Sequence, residues 1–358
     1  MTEKLKRLQQ ALADWQVDAL LLTRRDNIAW LTEGASYYVV ERAESGVASL
    51  LITADAVTLI APDNELPRIL AEEPLPFAAK TLSYPWYVSR QQTMASLAIP
   101  RLGSDTPLPG AKDLEPAMVI ARCGLNKNER QRFAELGRET AEIVEAIARG
   151  VSAGVSEQEI EARILHDCLA RAIRPVCTLI AVDERIAAYK HPTPGPTRLR
   201  QQLLITLGAE RQGLNVSLTR MVHIGEPSEQ ARQRLRAVAE IHADIMVASR
   251  AERSWQAIFT DVQAAYARHG HAEGWQVHHQ GGPAGYGCRD FIVTPESEGA
   301  LHVNQALAWN PTLSGVKSED TALLTTEGLS WLTRTGNWPM MTLTRGEARR
   351  EFADWLVV

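Results

Sequence analysis

This sequence has no CxxC pair, no long apolar run and no surplus of positive charge, and each absence removes a class of function. The 4 cysteines, Cys123, Cys168, Cys177 and Cys288, stand far apart. Neither a thiolate zinc site nor a disulfide framework is signalled, and reduced, mostly buried thiols are expected. No stretch approaches the ~18 apolar residues of a spanning helix. Residues 1–7 are charged with no apolar segment behind them, so no membrane partner and no signal sequence are expected, and the protein reads as cytoplasmic. Lys and Arg number 38 against 43 Asp and Glu. With no basic run to grip a phosphate backbone, nucleic acid is not expected as a partner.

At 358 residues the chain is longer than one hydrophobic core usually serves, so two domains are expected. The apolar positions Leu5, Leu8, Leu12 and Trp15 recur at helical spacing, and the apolar run 19–22 that follows reads as a buried strand. Runs at 48–52 and 57–60, bounded by Asp55 and Pro62, read as paired strands. The first domain, residues 1–120, is therefore a small α/β unit.

A segment rich in Pro, Gly and charge between Pro107 and Pro116 marks the boundary, and the second domain covers 121–358. There a long helical pattern runs from Lys127 to about Ala148. A second begins at Ser156, whose hydroxyl can cap while Glu159 reaches back. Strand-like runs at 177–182, 203–207 and 216–224 follow, then helices over about 228–249 and 255–269, then more strands. Two helices, strands, two helices, strands is an α+β order rather than a doubly wound sheet.

Four segments in order carry a family resemblance: VDALLLTRRDNIAWLTEG near the start, ITLGAERQGLNVSLTRMVHIGEP, WQVHHQGGPAGY, and AWNPTLSGVKSEDTALLTTEGLSWLT near the end. Together they resemble the creatinase, aminopeptidase P and methionine aminopeptidase family. The resemblance implies a creatinase-like N-terminal domain followed by a pita-bread catalytic domain, in which metal-bearing members hold two divalent ions with Asp, Asp, His, Glu and Glu. Carried over residue by residue, those positions are Thr206, Ser217, Gly282, Asn310 and Glu319. One carboxylate cannot offset the repulsion between two hard dications, so no metal and no other cofactor are expected.

The resemblance assigns the surviving polar positions to the substrate side. His191 matches the histidine that serves creatinase as its acid/base, and His278 a second substrate-side histidine. Lys317 replaces an arginine, and Arg289 replaces what is commonly a third histidine. His191, Glu319 and His278 are thus the catalytic candidates. Arg289, Lys317, Tyr286, Asn310, Ser217 and Thr206 are the substrate-binding candidates, with the two cations suited to a carboxylate or phosphate. His278 and His279 are neighbours, so on a strand only one of them could line a pocket. Arg220 and Asp320 are expected to be structural, and Cys288 lacks a base that would make it a nucleophile.

The expected function is a metal-independent enzyme acting on a small anionic substrate, by C–N hydrolysis or by lyase or isomerase chemistry, with His191 as acid/base. The alternatives are a non-catalytic scaffold, and a conventional Xaa-Pro aminopeptidase or dipeptidase. Relatives with this N-terminal domain are commonly dimers, so a homodimer is expected, with Asp26, Asn27 or Tyr37 able to reach a partner's site.

Overall fold

The computed structural model describes residues 2–345 and 348–358. It divides into two compact units, 1–122 and 123–358.

In the first unit, helix α1 (Glu3–Asp14) is capped by the Thr2 side chain and buries Leu5, Leu8 and Leu12, the residues that its apolar spacing aligns on one face. The strands are β1 (Ala19–Arg24), β2 (Ser45–Thr53), β3 (Val57–Pro62), β4 (Lys80–Tyr84), β5 (Leu102–Ser104) and β6 (Lys112–Asp113). They form one mixed sheet in the order β4-β3-β2-β1-β5-β6. Helix α2 (Arg25–Thr32) follows β1 directly, and α3 (Leu66–Glu72), α4 (Arg90–Ser96) and α5 (Glu115–Cys123) complete the set. Asn27 and Tyr37 are buried to 0% and 1% exposure, which removes them as side chains free to reach another subunit. Asn27 instead donates to Asp105 and Glu115 and accepts from Arg122. Asp26 is engaged by Arg24 at 3.0 Å and by Arg122 at 3.4 Å.

The second unit opens with α6 (Lys127–Arg149) and α7 (Glu157–Leu169). Both start with reciprocal capping boxes, Asn126 with Glu129 and Ser156 with Glu159, because each cap side chain satisfies an amide that the helix leaves unpaired. Strands β7 (Arg174–Val182), β8 (Gln202–Arg211) and β9 (Leu214–His223) follow, with the short α8 (Glu184–Ala188) between the first two. Next come α9 (Glu229–Ala248), α10 (Trp255–Arg268), β10 (Gly281–Ala284), β11 (Ala306–Trp309), β12 (Thr312–Leu313), β13 (Val316–Lys317), β14 (Asp320–Thr325) and β15 (Gly328–Trp331). The chain finishes with β16 (Met340–Arg345), β17 (Ala348–Ala353) and β18 (Leu356–Val357).

Two four-stranded sheets organise this unit, in the orders β18-β9-β8-β7 and β10-β11-β14-β15. Every residue of β9 is buried, because α6 packs on the strand while β14 joins it from the second sheet. The junction is polar and specific: the Thr219 amide donates to the Glu319 carbonyl at 2.9 Å, and the Thr321 hydroxyl accepts from the Ser217 amide and donates to its carbonyl. Gly137 lets α6 approach closely, since a Cβ there would lie 2.4 Å from the Leu332 carbonyl oxygen.

Arg220 crosses the same junction fully buried, paired to Asp320 at 2.9 Å and donating to the Thr333 carbonyl at 2.7 Å. Removing one member of a buried ion pair strands the other, at a cost of about 3–5 kcal/mol. Arg220→Met is therefore expected to lower the unfolding free energy by about 3 kcal/mol or more in urea titrations. A loss below about 1 kcal/mol, the range of an exposed pair, would show that the pair does not hold the sheets together.

Candidate functional site

Where the two sheets meet, the chain brings most of the expected residues together. Thr206 on β8 pairs with Thr219 on β9, and Gly208 with Ser217, in the antiparallel register. Glu319 immediately precedes β14. The last pair of the β11–β14 ladder is Trp309 with Asp320, so one step further sets Asn310 opposite Glu319.

Glu319 is the hub. Its carboxylate receives Lys317 Nζ at 2.8 Å, an Arg289 guanidinium nitrogen at 2.8 Å and the Thr219 hydroxyl at 2.7 Å. The Thr206 hydroxyl lies 2.6 Å from that of Thr219, and Arg289 also donates to Ser217 Oγ at 3.1 Å and to the Cys288 carbonyl. Glu319 and Lys317 are 4% and 7% exposed. Burial alone would raise the Glu319 pKa, but Lys317 and Arg289 outweigh it and bring the carboxyl down to about 2. One anion and two cations leave a net positive charge in a place shielded from water. Arg289 Nε and Asn310 Oδ1 are buried there without hydrogen-bond partners.

Three imidazoles border this cluster. His191, exposed in the loop after α8, has its Nε2 3.1 Å from that of buried His278. His279 stacks on His278, with ring centroids 4.4 Å apart, and on His191 at 5.7 Å. The expectation that only one of the neighbouring histidines could face the site is thus overturned. Residues 278–280 are not in a strand; they link a short 3-10 helix, 274–277, to β10, so alternation does not apply. Burial first, and then the positive charge of Lys317, lowers the His278 pKa to about 3. Burial with Arg289 and Lys317 brings His279 to about 4. His191 is lowered by burial and Lys317, partly offset by Glu319.

Two other expectations need correction. Tyr286 is not a ligand-facing phenol: its hydroxyl donates to Glu129 of α6 at 2.7 Å and lies 3.4 Å from an Arg132 nitrogen. Burial and the Glu129 charge raise its pKa well above the usual value. Glu319, expected among the catalytic residues, is instead taken up by Lys317 and Arg289 and, held at about 2, stays ionised; it anchors the two cations. Cys288, with its thiol pushed by burial up to about 11, is no nucleophile. Thr219 and His279 are site residues that sequence reasoning missed. The signal for Thr219 was available, since it faces Thr206 once the hairpin register is drawn.

The lowered histidines fix a pH dependence. An unfolded chain protonates its imidazoles near ~6.5, whereas the folded His278 and His279 resist until about 3 and 4. The unfolded state therefore binds more protons in between, and stability that is intact above pH ~6.5 is lost as pH falls. Buried His242, lowered by burial to about 4, acts with the same sign. The melting temperature should drop from pH 6.5 toward pH 4 less steeply in a His278→Asn, His279→Asn double variant. Identical slopes would contradict the burial of neutral imidazoles in this site.

Residues 4–106 match the model of the creatinase/prolidase N-terminal domain, and residues 131–326 match that of metallopeptidase family M24. The chain is similar to an Xaa-Pro dipeptidase of Pyrococcus horikoshii, 23% identical over 362 residues covering 94% of this chain and 98% of the relative. A Pyrococcus furiosus Xaa-Pro dipeptidase is 20% identical over 94% of this chain and 99% of its own. Among solved structures, the P. horikoshii OT3 prolidase gives a TM-score of 0.80 at 20% identity, over 93% of this chain and 99% of that one. Dipeptidase PepE from Mycobacterium ulcerans gives 0.77 at 16%, over 93% and 95%.

Proposed function

The chain belongs to metallopeptidase family M24, and from that premise we propose that it cleaves a C–N bond in a small anionic substrate without the pair of divalent ions that the family name implies.

One observation carries this reading. At the five positions that the resemblance assigns to metal ligands, the remaining carboxylate, Glu319, is already neutralised by Lys317 Nζ and the Arg289 guanidinium, each at 2.8 Å. The other positions do not fit dications either. Thr206 is committed to Thr219 and Ser217 to Arg289. At Gly282 there is no room for a ligating side chain, since a Cβ would lie 2.6 Å from the Phe291 carbonyl oxygen. Two ions a few ångströms apart need several anionic oxygens. No group of carboxylates with ligand spacing occurs among the described residues.

The chain's own cations take over the task of holding negative charge. A substrate carboxylate beside Arg289 and Lys317 neutralises the excess positive charge of the buried trio, which otherwise costs desolvation energy. His191, whose depressed pKa leaves it neutral near pH 7, accepts a proton from water as the water adds to the carbon of the C–N bond. It then returns that proton to the departing nitrogen. His278, 3.1 Å away, fixes the His191 ring and tautomer.

Thermal shift with acetate and succinate, on the protein treated with EDTA, tests the anion site. A rise in melting temperature is expected in the wild type, with affinity reduced about tenfold or more in Arg289→Met, the scale of a lost charge-assisted hydrogen bond. His191→Asn should lower turnover of a responsive substrate by about 10²–10⁴ without abolishing anion binding. Cleavage of Xaa-Pro dipeptides that depends on added Mn²⁺ would overturn this reading in favour of the conventional activity named for the relatives.

A further inference from the structure

His191, His278 and His279 form a constellation that neither the family's ligand pattern nor the anion-binding role explains. Each offers a ring nitrogen, and the three nitrogens lie within 4.8 Å of one another. Among the described residues this is the one group of three or more His, Cys, Asp or Glu side chains with metal-ligand spacing. We propose that His191, His278 and His279 bind a single borderline transition-metal ion, of the Zn²⁺ class, whose fourth coordination position is taken by an anion beside Lys317.

The geometry supports each part. Donors about 2.0–2.1 Å from a tetrahedral ion stand roughly 3.4 Å from one another, and the 3.1 Å between the Nε2 atoms of His191 and His278 is already close to such an edge. His191 is exposed in a loop, so its side chain can turn to close the wider gap, while His278 and His279 are held by their stacked rings. His279 Nδ1 is buried without a hydrogen-bond partner, so coordination through that nitrogen would satisfy an atom that the fold leaves unsatisfied.

An all-imidazole set selects the metal. Imidazole suits Zn²⁺, Ni²⁺ and Cu²⁺, whereas Mn²⁺ and Mg²⁺ want oxygen donors. Lys317 repels a dication, and a negatively charged fourth ligand offsets that repulsion. Metal and small carboxylate should therefore bind with positive linkage, each tightening the other by the same factor. Coordination through His191 Nε2 puts the ring's proton on Nδ1 and leaves no free lone pair to take another from water, so the loaded protein should be inhibited. That last consequence rests on the acid/base role proposed for His191, but the binding site itself does not.

Zn²⁺ titration of the EDTA-treated full-length protein by calorimetry, with Mn²⁺ as the comparison, tests the site. One Zn²⁺ per chain is expected, tighter in the presence of acetate, with at least a tenfold weakening in His279→Asn and, separately, in the exposed His191→Asn, which does not disturb packed residues. Co²⁺ should give the visible absorption of a tetrahedral site in the wild type and not in the variants. Zn²⁺ affinity unchanged in both variants would place the ion elsewhere and overturn the proposal, as would no Zn²⁺ binding at all. Neither of those results bears on anion binding by Arg289. Loss of the acetate response with Zn²⁺ binding intact would instead sink the functional reading together with the anionic fourth ligand, and leave the three-histidine site standing.

Discussion

The ion triad of Glu319, Lys317 and Arg289 is the interaction on which the rest of the site depends. A carboxylate buried at 4% exposure must be compensated, and a fold of this kind can do so with bound cations or with its own side chains. Here both of its oxygens are engaged by the chain itself. With that charge settled internally, the neighbouring positions are occupied by Thr206, Ser217 and Asn310 without the repulsion that a set of carboxylates would suffer. The positive surplus left over is the basis of the anion binding proposed above, and after burial, the larger cause, it lowers the pKa values of the adjacent imidazoles.

The triad is precise because the scaffold around it is stiff. Lys317 ends β13 and Glu319 precedes β14, while Thr219 sits mid-strand on β9 and is tied to Glu319 through both backbone and side chain. Arg220 and Asp320, each next to a site residue, lock the same two strands from the other side. The functional polar network is thus backed by a structural one in which every second residue faces the opposite way, as strand alternation requires. His191 is the exception, since it sits on a loop, the kind of position from which a proton carrier or a metal ligand can move.

Much of this was legible in the sequence. The helices expected from Lys127 to about Ala148, from Ser156 and over about 228–249 follow from apolar spacing and the Ser156 cap, and the structure places them at Lys127–Arg149, Glu157–Leu169 and Glu229–Ala248. The order of the family's segments implied the pita-bread fold, and Arg220 and Asp320 were each expected to be structural. What was not legible depends on contacts remote in sequence. Tyr286 was assigned to the ligand because nothing nearby revealed that Glu129, 157 residues earlier, takes its hydroxyl. His279 was set aside by a strand rule that fails where the backbone is irregular. That Glu319, one of the catalytic candidates, anchors two cations could be known only once both were seen on it.

The central claim is that the chain's own cations stand in for a metal pair, and the most direct measurement is a crystal structure of the protein grown with excess Mn²⁺, using anomalous scattering to locate the ion. The account predicts Lys317 and Arg289 still bound to Glu319 and no anomalous peak on that carboxylate. Two peaks about 3.5–4 Å apart at Glu319, with Lys317 displaced, would contradict it.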